Sequence, residues 1–445
     1  MTIPSLLPLL QDAVPTVVPA DTAWMLVATA LVLLMTPALA FFYGGLVRSK
    51  NSLNTMMMSF VALGAVGILW ALVAYSLAFS AGSDWLGGLS NALLAGVGTE
   101  AKGTIPHVLF MAYQGTFAII TAALISGAIV ERMRFGPYVV FIVLWTLLVY
   151  APVAHWVWGG GWLGKLGVLD FAGGTVVHIN AGISALVAAV VLGGRKDYGR
   201  QAILPHNVPF VLLGAGLLWF GWFGFNGGSA LAANGSAATA FTNTFLAPMA
   251  TLVVWALLDG FRNGQVTAVG GATGIVVGLV AITPAAGFVS PVGALAIGAI
   301  ATFPSYFMIL YRSRTRVDDS LDVFAGHGIG GLSGALLTGV FAEKAWGGTD
   351  GLLAGNATQF GLQAIGAATS FIYAGLMTFV ILKALGAVMA LRAGTRAEGL
   401  GMDVTQHGEE AYTSGEGSIL VLPAIQDSPA PAPTLAPQAA LTPRS

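Results

Sequence analysis

The sequence predicts an all-α membrane protein of about eleven transmembrane helices, built as an inverted five-plus-five repeat with an extra C-terminal helix. Three observations carry this prediction. Charged residues make up 8% of the chain and hydrophobic ones 56%. A soluble globular domain carries about 25% charged residues, so most of this surface must face lipid. Apolar runs long enough to cross a bilayer, roughly 20 residues each, recur along the chain. The basic residues between those runs alternate sides in one consistent sense.

The runs fall near 23–47, 53–80, 107–130, 137–157, 175–193, 208–226, 238–258, 266–283, 289–311, 323–342 and 360–391. The second and last are long enough to tilt or to project beyond the lipid. Loops on one side hold fifteen basic residues, among them Arg48, Lys50, Arg132, Arg134, Arg195, Lys196, Arg262, Arg312, Lys383 and Arg392. The opposite loops hold three: Lys102, Lys165 and Lys344. By the positive-inside rule the N-terminus lies outside and the C-terminus in the cytoplasm, across the inner (cytoplasmic) membrane. A missed span would scramble that alternation, so the bias also supports the count. Sixty glycines suit helices that pack backbone to backbone in a bilayer. A net charge of −1 without a basic face argues against nucleic acid as a partner, and the absence of cysteine excludes disulfides and thiolate metal sites.

Two pairs of motifs point to an internal duplication. Phe42-Tyr43-Gly44-Gly45 closes the first run and Phe225-Asn226-Gly227-Gly228 the sixth. Asp170 precedes His178 by eight residues, and Asp319 precedes His327 by eight. Each half holds five runs, an odd number, so the second half sits upside down relative to the first. Such repeats place a substrate path near the midplane between the halves. The domain boundaries follow: a short extracytoplasmic tail over 1–20, an eleven-helix domain over 21–391, a cytoplasmic tail over 392–412, and a disordered Pro/Ala-rich extension over 413–445. The first segment carries Pro4, Pro8, Pro15 and Pro19 and no basic residue before Leu6, unlike a secretion signal.

His178 and His327 are the residues with the most chemistry. An ionisable side chain at membrane depth costs about 2.5–3.5 kcal/mol on insertion scales and usually marks a pathway. A lone histidine is as readily a structural one, bonded to a backbone carbonyl. A pair at matching places in inverted halves favours function. Hydrogen-bonded together, the rings are expected to share a proton and present an acceptor at each end, which distinguishes a cation carrying N–H donors from a bare metal ion. Two histidines without a carboxylate or a third histidine make a thin ligand set, so no metal and no cofactor is expected.

Asp170 suits a helix N-cap, where a carboxylate accepts backbone N–H bonds at the positive dipole end, with an electrostatic effect at the path's mouth. Asp319 and Asp322, beside Arg312, Arg314 and Arg316, read as a solvated ion-pair cluster. Tyr113, Phe117, Tyr150, Trp156, Trp158, Trp162, Trp222, Phe223 and Phe225 crowd the outer segments. Most of them read as an interfacial belt, with some able to form a cation–π cup.

The string Asp170-Phe171-Ala172-Gly173-Gly174-Thr175-Val176-Val177-His178-Ile179-Asn180-Ala181-Gly182 resembles the signature of the Amt/Mep/Rh family, in its bacterial ammonium transporter (Amt) branch. Phe42-Tyr43-Gly44-Gly45-Leu46, Gln114-Gly115-Thr116-Phe117, Trp222 through Ser229, and Asp322-Val323-Phe324 leading to His327-Gly328 add to the likeness, which runs from about 21 to 412. The resemblance implies a homotrimer with one pore per subunit. It implies that His178 and His327 are twin pore histidines and that Phe117 and Phe225 close the outer gate. Trp158, Ser229 and Tyr113 would recruit ammonium, Asp170 would be the acid needed for conduction, and Trp222 would line the pore wall. Tyr113 stands where the family commonly has Phe, and Glu398-Gly399-Leu400 reads as an insertion. The segment Gly401–Glu409 resembles the family's regulatory tail, which accompanies control by PII-type signalling proteins.

The expected activity is therefore inward conduction of ammonium or ammonia, with methylammonium as an analogue. A Rh-type channel for neutral ammonia is the nearest rival, and Trp158 with Ser229 and the tail argue for the Amt branch. An ammonium sensor is a second, though the positions after Tyr412 offer no folded signalling domain. An enzyme is the least supported, because the midplane holds no nucleophile or metal cluster.

Because the chain has no native cysteine, single cysteines report its topology without background. Lys102→Cys and Lys344→Cys should react with a membrane-impermeant maleimide on intact cells, and Arg200→Cys only after permeabilisation. The reverse labelling pattern would overturn the orientation.

Overall fold

A computed structural model describes residues 16–412. Among the described residues ten helices are long and apolar enough to cross a membrane: α1 (Pro19–Leu46), α2 (Ser49–Phe79), α3 (His107–Ala128), α4 (Phe135–Leu166), α5 (Gly174–Leu192), α6 (Val208–Ala230), α7 (Gly235–Asn263), α9 (Pro291–Arg312), α10 (Phe324–Phe341) and α11 (Ala357–Val388). An eleventh apolar helix, α8 (Ala268–Ile282), sits between α7 and α9. At 15 residues it rises only about 22 Å. The chain continues from it through a largely buried turn, Thr283 to Val289. Each of the eleven apolar runs thus holds one helix. The strand content among the described residues is one two-residue ladder, β1 (Ala101–Lys102) against β2 (Ile105–Pro106), in the α2–α3 connection.

The two halves repeat in local geometry as well as in sequence. Both α5 and α10 open with six residues of wide π-helical turn, Gly174–Ile179 and Phe324–Ile329, before continuing as ordinary α-helix. An aspartate starts each turn. Asp170 Oδ1 accepts the amides of Gly173 and Gly174 at 2.8 and 2.7 Å, and Oδ2 those of Thr175 and Val176 at 2.8 and 3.1 Å. Asp319 accepts the amides of Val323 and Phe324 at 3.1 and 2.7 Å. This corrects the expectation of a solvated Asp319. Its side chain is buried, and burial, followed by the charge of Asp322, pushes its carboxyl up to about 6. The eight-residue spacing to His327 carried the signal, because it copies Asp170 to His178. Asp322 does form the expected ion pair, with Arg312 at 2.7 Å.

The halves meet where side chains are missing. Helix α6 lies on α1 so closely that a Cβ on Gly214 would come 2.4 Å from the Phe42 amide nitrogen, and one on Gly221 2.8 Å from the Leu31 carbonyl. Helices α5 and α10 cross more tightly still. A Cβ on Gly182 would lie 2.1 Å from the Gly328 nitrogen, and one on Gly331 2.9 Å from the His178 Cβ. No L side chain fits there, so these glycines set the distance between the two histidine-bearing helices.

The loop face rich in arginine, here the basic face, is held by a buried ionic network. Glu131 accepts from Arg48 at 2.8 Å and from Arg195 at 3.1 Å, and Arg195 also pairs with Asp318 at 2.8 Å. Burial alone would raise the Glu131 carboxyl, but Arg195 and Arg48 outweigh it and hold it below its ordinary value. Arg132, fully buried, donates to the carbonyls of Ala128 and Asp318 and to Ser320. These contacts join the α1–α2, α3–α4, α5–α6 and α9–α10 connections.

The tail packs on this same face. Its two short helices, α12 (Thr395–Leu400) and α13 (Met402–His407), are tied to α2, where Asp403 accepts the amides of Leu53 and Asn54 at 3.0 and 2.7 Å. Glu398 pairs with Arg392 at 2.7 Å and accepts the Lys196 amide. The segment Glu398-Gly399-Leu400 thus completes α12. The Pro/Ala-rich extension lies outside the described residues, as does most of the N-terminal segment.

Gly182→Ala should destabilise the protein by about 1–3 kcal/mol through overpacking, read as a lowered unfolding temperature in detergent. The same change at Gly216, where an added Cβ meets nothing within 4 Å, should leave it unchanged. Equal effects would mean that the α5–α10 crossing is not under steric control.

Candidate functional site

The nine residues singled out by sequence gather on a single line through the protein, formed by α3, α4, α5, α6, α10 and the α4–α5 loop. At the face opposite the basic one, Trp158, Tyr113 and Ser229 stand together. The Trp158 indole donates to the Asp170 carbonyl at 2.9 Å, which fixes its ring beside the capped start of α5. Tyr113 is buried; its hydroxyl lies 2.8 Å from the Phe225 carbonyl and 3.3 Å from Ser229 Oγ. Ser229 Oγ donates to the same carbonyl at 2.8 Å, leaving its oxygen lone pairs as acceptors.

Directly beneath, Phe117 and Phe225 stack with centroids 4.1 Å apart and planes 21° off parallel. Phe117 also meets Tyr113 at 5.0 Å and Trp158 edge-on at 6.0 Å. Both phenyl rings are buried, so they block the line. Past them comes His178, whose ring lies 5.4 Å from that of Trp222 at 22° and 6.1 Å from that of Phe225. Trp222 is held by its indole bond to the Thr283 hydroxyl at 2.9 Å.

The two histidines bond to each other, Nδ1 to Nδ1, at 3.1 Å. Counting protons corrects the expectation of an acceptor at both ends. Two neutral imidazoles carry two N–H protons, one of which lies between the Nδ1 atoms. The other must sit on one Nε2, so the pair shows a donor at one end and an acceptor at the other. His178 Nε2 is buried and has no hydrogen-bond partner among the described residues, so that end faces whatever enters.

Cavities complete the line. A void of about 10 Å³ is walled by His178, His327, Trp222, Phe225 and apolar side chains including Leu39, Ile120, Leu218 and Val276. That is barely room for one water. His327 also borders a cavity of about 480 Å³ that opens beside Tyr43, Arg195, Tyr198, Arg312 and Asp322. The arrangement is a wide cavity of mixed polar and apolar lining, a constriction of two imidazoles in an apolar sleeve, and a double aromatic plug.

The aromatic expectation needs correction. Tyr113, Phe117, Tyr150, Trp156, Trp222 and Phe225 are buried in protein and do not form a lipid-facing belt. Two of them also place polar tips on protein partners: the Trp156 indole donates to the Trp85 carbonyl and the Trp222 indole to the Thr283 hydroxyl, partners that lipid does not offer. Reading from sequence missed Thr283, the apolar sleeve and the basic-face cavity. The sleeve gives no sequence signal, since its residues match any other buried helix face. No group of three or more His, Cys, Asp or Glu able to hold a metal occurs among the described residues.

A bundle of this size, with inverted halves meeting at a narrow internal path, defines a multi-pass membrane transporter. The Ammonium Transporter Family profile matches residues 23–412, and the chain belongs to that family. It is 49% identical over 398 residues to an ammonium transporter of Bacillus subtilis, covering 88% of this chain and 98% of the relative. It is 51% identical to one of Aquifex aeolicus, covering 88% and 93%. Among solved structures it resembles Saccharomyces cerevisiae Mep2, with a TM-score of 0.83 and 36% identity over 91% of this chain and 93% of that one. It also resembles a sensor Amt protein, with a TM-score of 0.82 and 29% identity over 87% and 98%. The substrate implied by the family is ammonium, and its class is transporter.

Tyr113→Phe keeps the ring contact with Phe117 and removes one hydroxyl. It should lower stability by about 1 kcal/mol and move half-saturation of ammonium uptake to higher concentration with the maximal rate kept. A fall in maximal rate alone would mean that the hydroxyl acts beyond the phenyl rings.

Proposed function

We propose that this protein conducts ammonium inward across the cytoplasmic membrane, with the N-terminus outside and the tail in the cytoplasm. The observation that carries the reading is the His178–His327 pair, set in a constriction between the stacked phenyl rings and the wide basic-face cavity. Trp158, Tyr113 and Ser229 receive the cation outside. The aromatic faces contribute about 0.5–2 kcal/mol each, and the serine oxygen accepts an N–H. Asp170, buried beside them, adds negative charge at the mouth.

A void of this size admits neither hydrated ammonium nor hydrated potassium. Ammonium can leave its proton near the gate and pass as ammonia, but potassium has no such step. Ammonia then crosses the apolar sleeve past Trp222, while the proton passes between the shared imidazole nitrogens. Methylammonium, with N–H donors and one methyl group more, is expected to follow slowly.

The other expectations join this reading. A homotrimer with one path per subunit suits the chain's broad exposed apolar faces. The docked tail, with Asp403 on α2 and Glu398 on Arg392, offers a cytoplasmic surface for a PII-type signalling protein. The likeness to a sensor Amt protein keeps a signalling role as the alternative, and a Rh-type neutral ammonia channel is the other.

Purified protein in liposomes distinguishes these readings by charge movement after an ammonium pulse. Wild type should give a current that saturates with ammonium and is absent with potassium. His178→Ala and His327→Ala should each reduce it about a hundredfold or more, the scale of one lost proton-transfer partner. Internal alkalinisation without current would point to neutral ammonia. No signal of either kind from folded protein would leave the sensor alternative standing.

A further inference from the structure

We propose that His155 is a positioning residue for the outer cation site, a buried imidazolium that fixes the turn carrying Trp158. The proposal rests on the reading that Trp158, Tyr113 and Ser229 receive the cation, and on nothing about how the cation crosses.

His155 lies three residues before Trp158 in α4 and is buried. Its Nδ1 stands 3.0 Å from the Ala78 carbonyl oxygen, and its Nε2 2.7 Å from that of Ser83. A carbonyl oxygen has no proton to give, so each contact needs an N–H on the ring. Neutral imidazole carries one N–H, and two require the imidazolium. Turning the ring over would set carbons against both oxygens and lose both bonds.

The surroundings favour a cation. Ala78 belongs to the last turn of α2, which ends at Phe79. Carbonyls there lack helical partners and carry the negative end of the helix dipole. The Ser76 carbonyl takes the Ser80 amide and that of Leu77 takes the Gly87 amide, which leaves Ala78 to His155. A Cβ on Gly159 would lie 1.9 Å from the Ala78 oxygen, so only glycine keeps that approach open. His155 joins no ion pair among the described residues. Along the two packed segments, 75–86 and 156–166, the other ionisable side chains already have partners. Tyr75 is bonded to His107, and Asp84 is paired with Lys165.

Three successive carbonyls of the loop after α2 are bound by α4. Ser83 is held by His155, Asp84 by the Trp162 amide at 3.1 Å, and Trp85 by the Trp156 indole at 2.8 Å. The carbonyl of His155 itself accepts the amides of Gly159 and Gly161 at 3.0 and 2.9 Å, folding the turn directly after Trp158. Trp158 is thus fixed from two sides, by this turn and by its indole bond to the Asp170 carbonyl. A neutral ring would point a lone pair at one of the two oxygens, and the loop would draw away from the turn.

The full chain, labelled with 15N in histidine and in the tryptophan indoles, tests both parts by magnetic resonance. At about pH 7 one of the six histidines should show two protonated ring nitrogens, and that signal should vanish in His155→Gln. Its absence from wild type would overturn the proposal whether or not any variant folds, and so would its survival in the variant. The Trp158 indole signal, identified by its loss in Trp158→Phe, should shift and saturate as ammonium chloride is added. In His155→Gln half-saturation should rise about fivefold, part of the tenfold or more that one hydrogen bond to a charged group carries. Equal half-saturation in the two proteins would sink the positioning role, as would a wild-type signal that ammonium does not move. Binding is read here without transport. A wild type that binds ammonium but conducts nothing would therefore overturn the proposed function and not this assignment.

Discussion

The crossing of α5 and α10 is the contact on which the rest of the path depends. With Gly182 against the backbone of Gly328 and Gly331 against the Cβ of His178, the two histidines cannot be far apart. The wide turns at Gly174–Ile179 and Phe324–Ile329 aim both rings inward. Such turns leave helix amides without their usual partners, and a buried aspartate supplies acceptors in each half. At Asp170 the balance can be judged. Four hydrogen bonds to a charged acceptor, roughly 1.5–3 kcal/mol each, return much of the several kcal/mol needed to take a carboxylate out of water, while burial still holds the carboxyl above its ordinary value. Asp170 therefore has a structural task, whatever its effect on a passing cation. Replacing it would disturb the ring of His178 as well as the charge at the mouth.

The constriction imposes a chemical choice. A bare monovalent ion in a sleeve of Leu39, Ile120, Leu218 and Val276 would face a desolvation penalty far larger than two imidazoles can return. A neutral amine would not. The proton count of the imidazole pair adds direction, because one end donates while the other accepts. Handing a proton through the pair exchanges those ends, and a second proton cannot follow until the rings reset. A pair hydrogen-bonded at 3.1 Å thus passes protons one at a time, with one reset of the rings per transfer.

Much of this was legible in the sequence, and unevenly so. The eleven runs were readable because lipid demands uninterrupted apolar length, and the arginine bias grouped their ends. His178 and His327 stood out because histidine at membrane depth is costly, and the repeated eight-residue spacing tied each to an aspartate. The same spacing should have marked Asp319 as a cap, but its neighbours Arg312, Arg314 and Arg316 suggested a surface cluster. Sequence proximity there outweighed periodicity. The aromatic residues misled for a different reason. Trp and Tyr serve equally in a lipid interface and a packed interior, and the deciding factor is a partner such as Thr283 or the Phe225 carbonyl, distant in sequence.

The basic face shows why the cations matter beyond orientation. Glu131 is fully buried between Arg48 and Arg195, and Arg195 continues to Asp318, the neighbour of the Asp319 cap. Removing one partner of such a pair leaves an uncompensated buried charge, a loss of about 3–5 kcal/mol. Arg132 links this network to the tail, since its carbonyl accepts the Ala393 amide. Arg392, the preceding residue, holds Glu398. A displacement of α12 would therefore be felt first at the Arg392 and Arg132 backbone and then at the Asp318–Asp319 step that starts α10. The chain of contacts from tail to His327 is short and made of charged groups that tolerate little rearrangement. Each contact in it is one that holds the helix ends together.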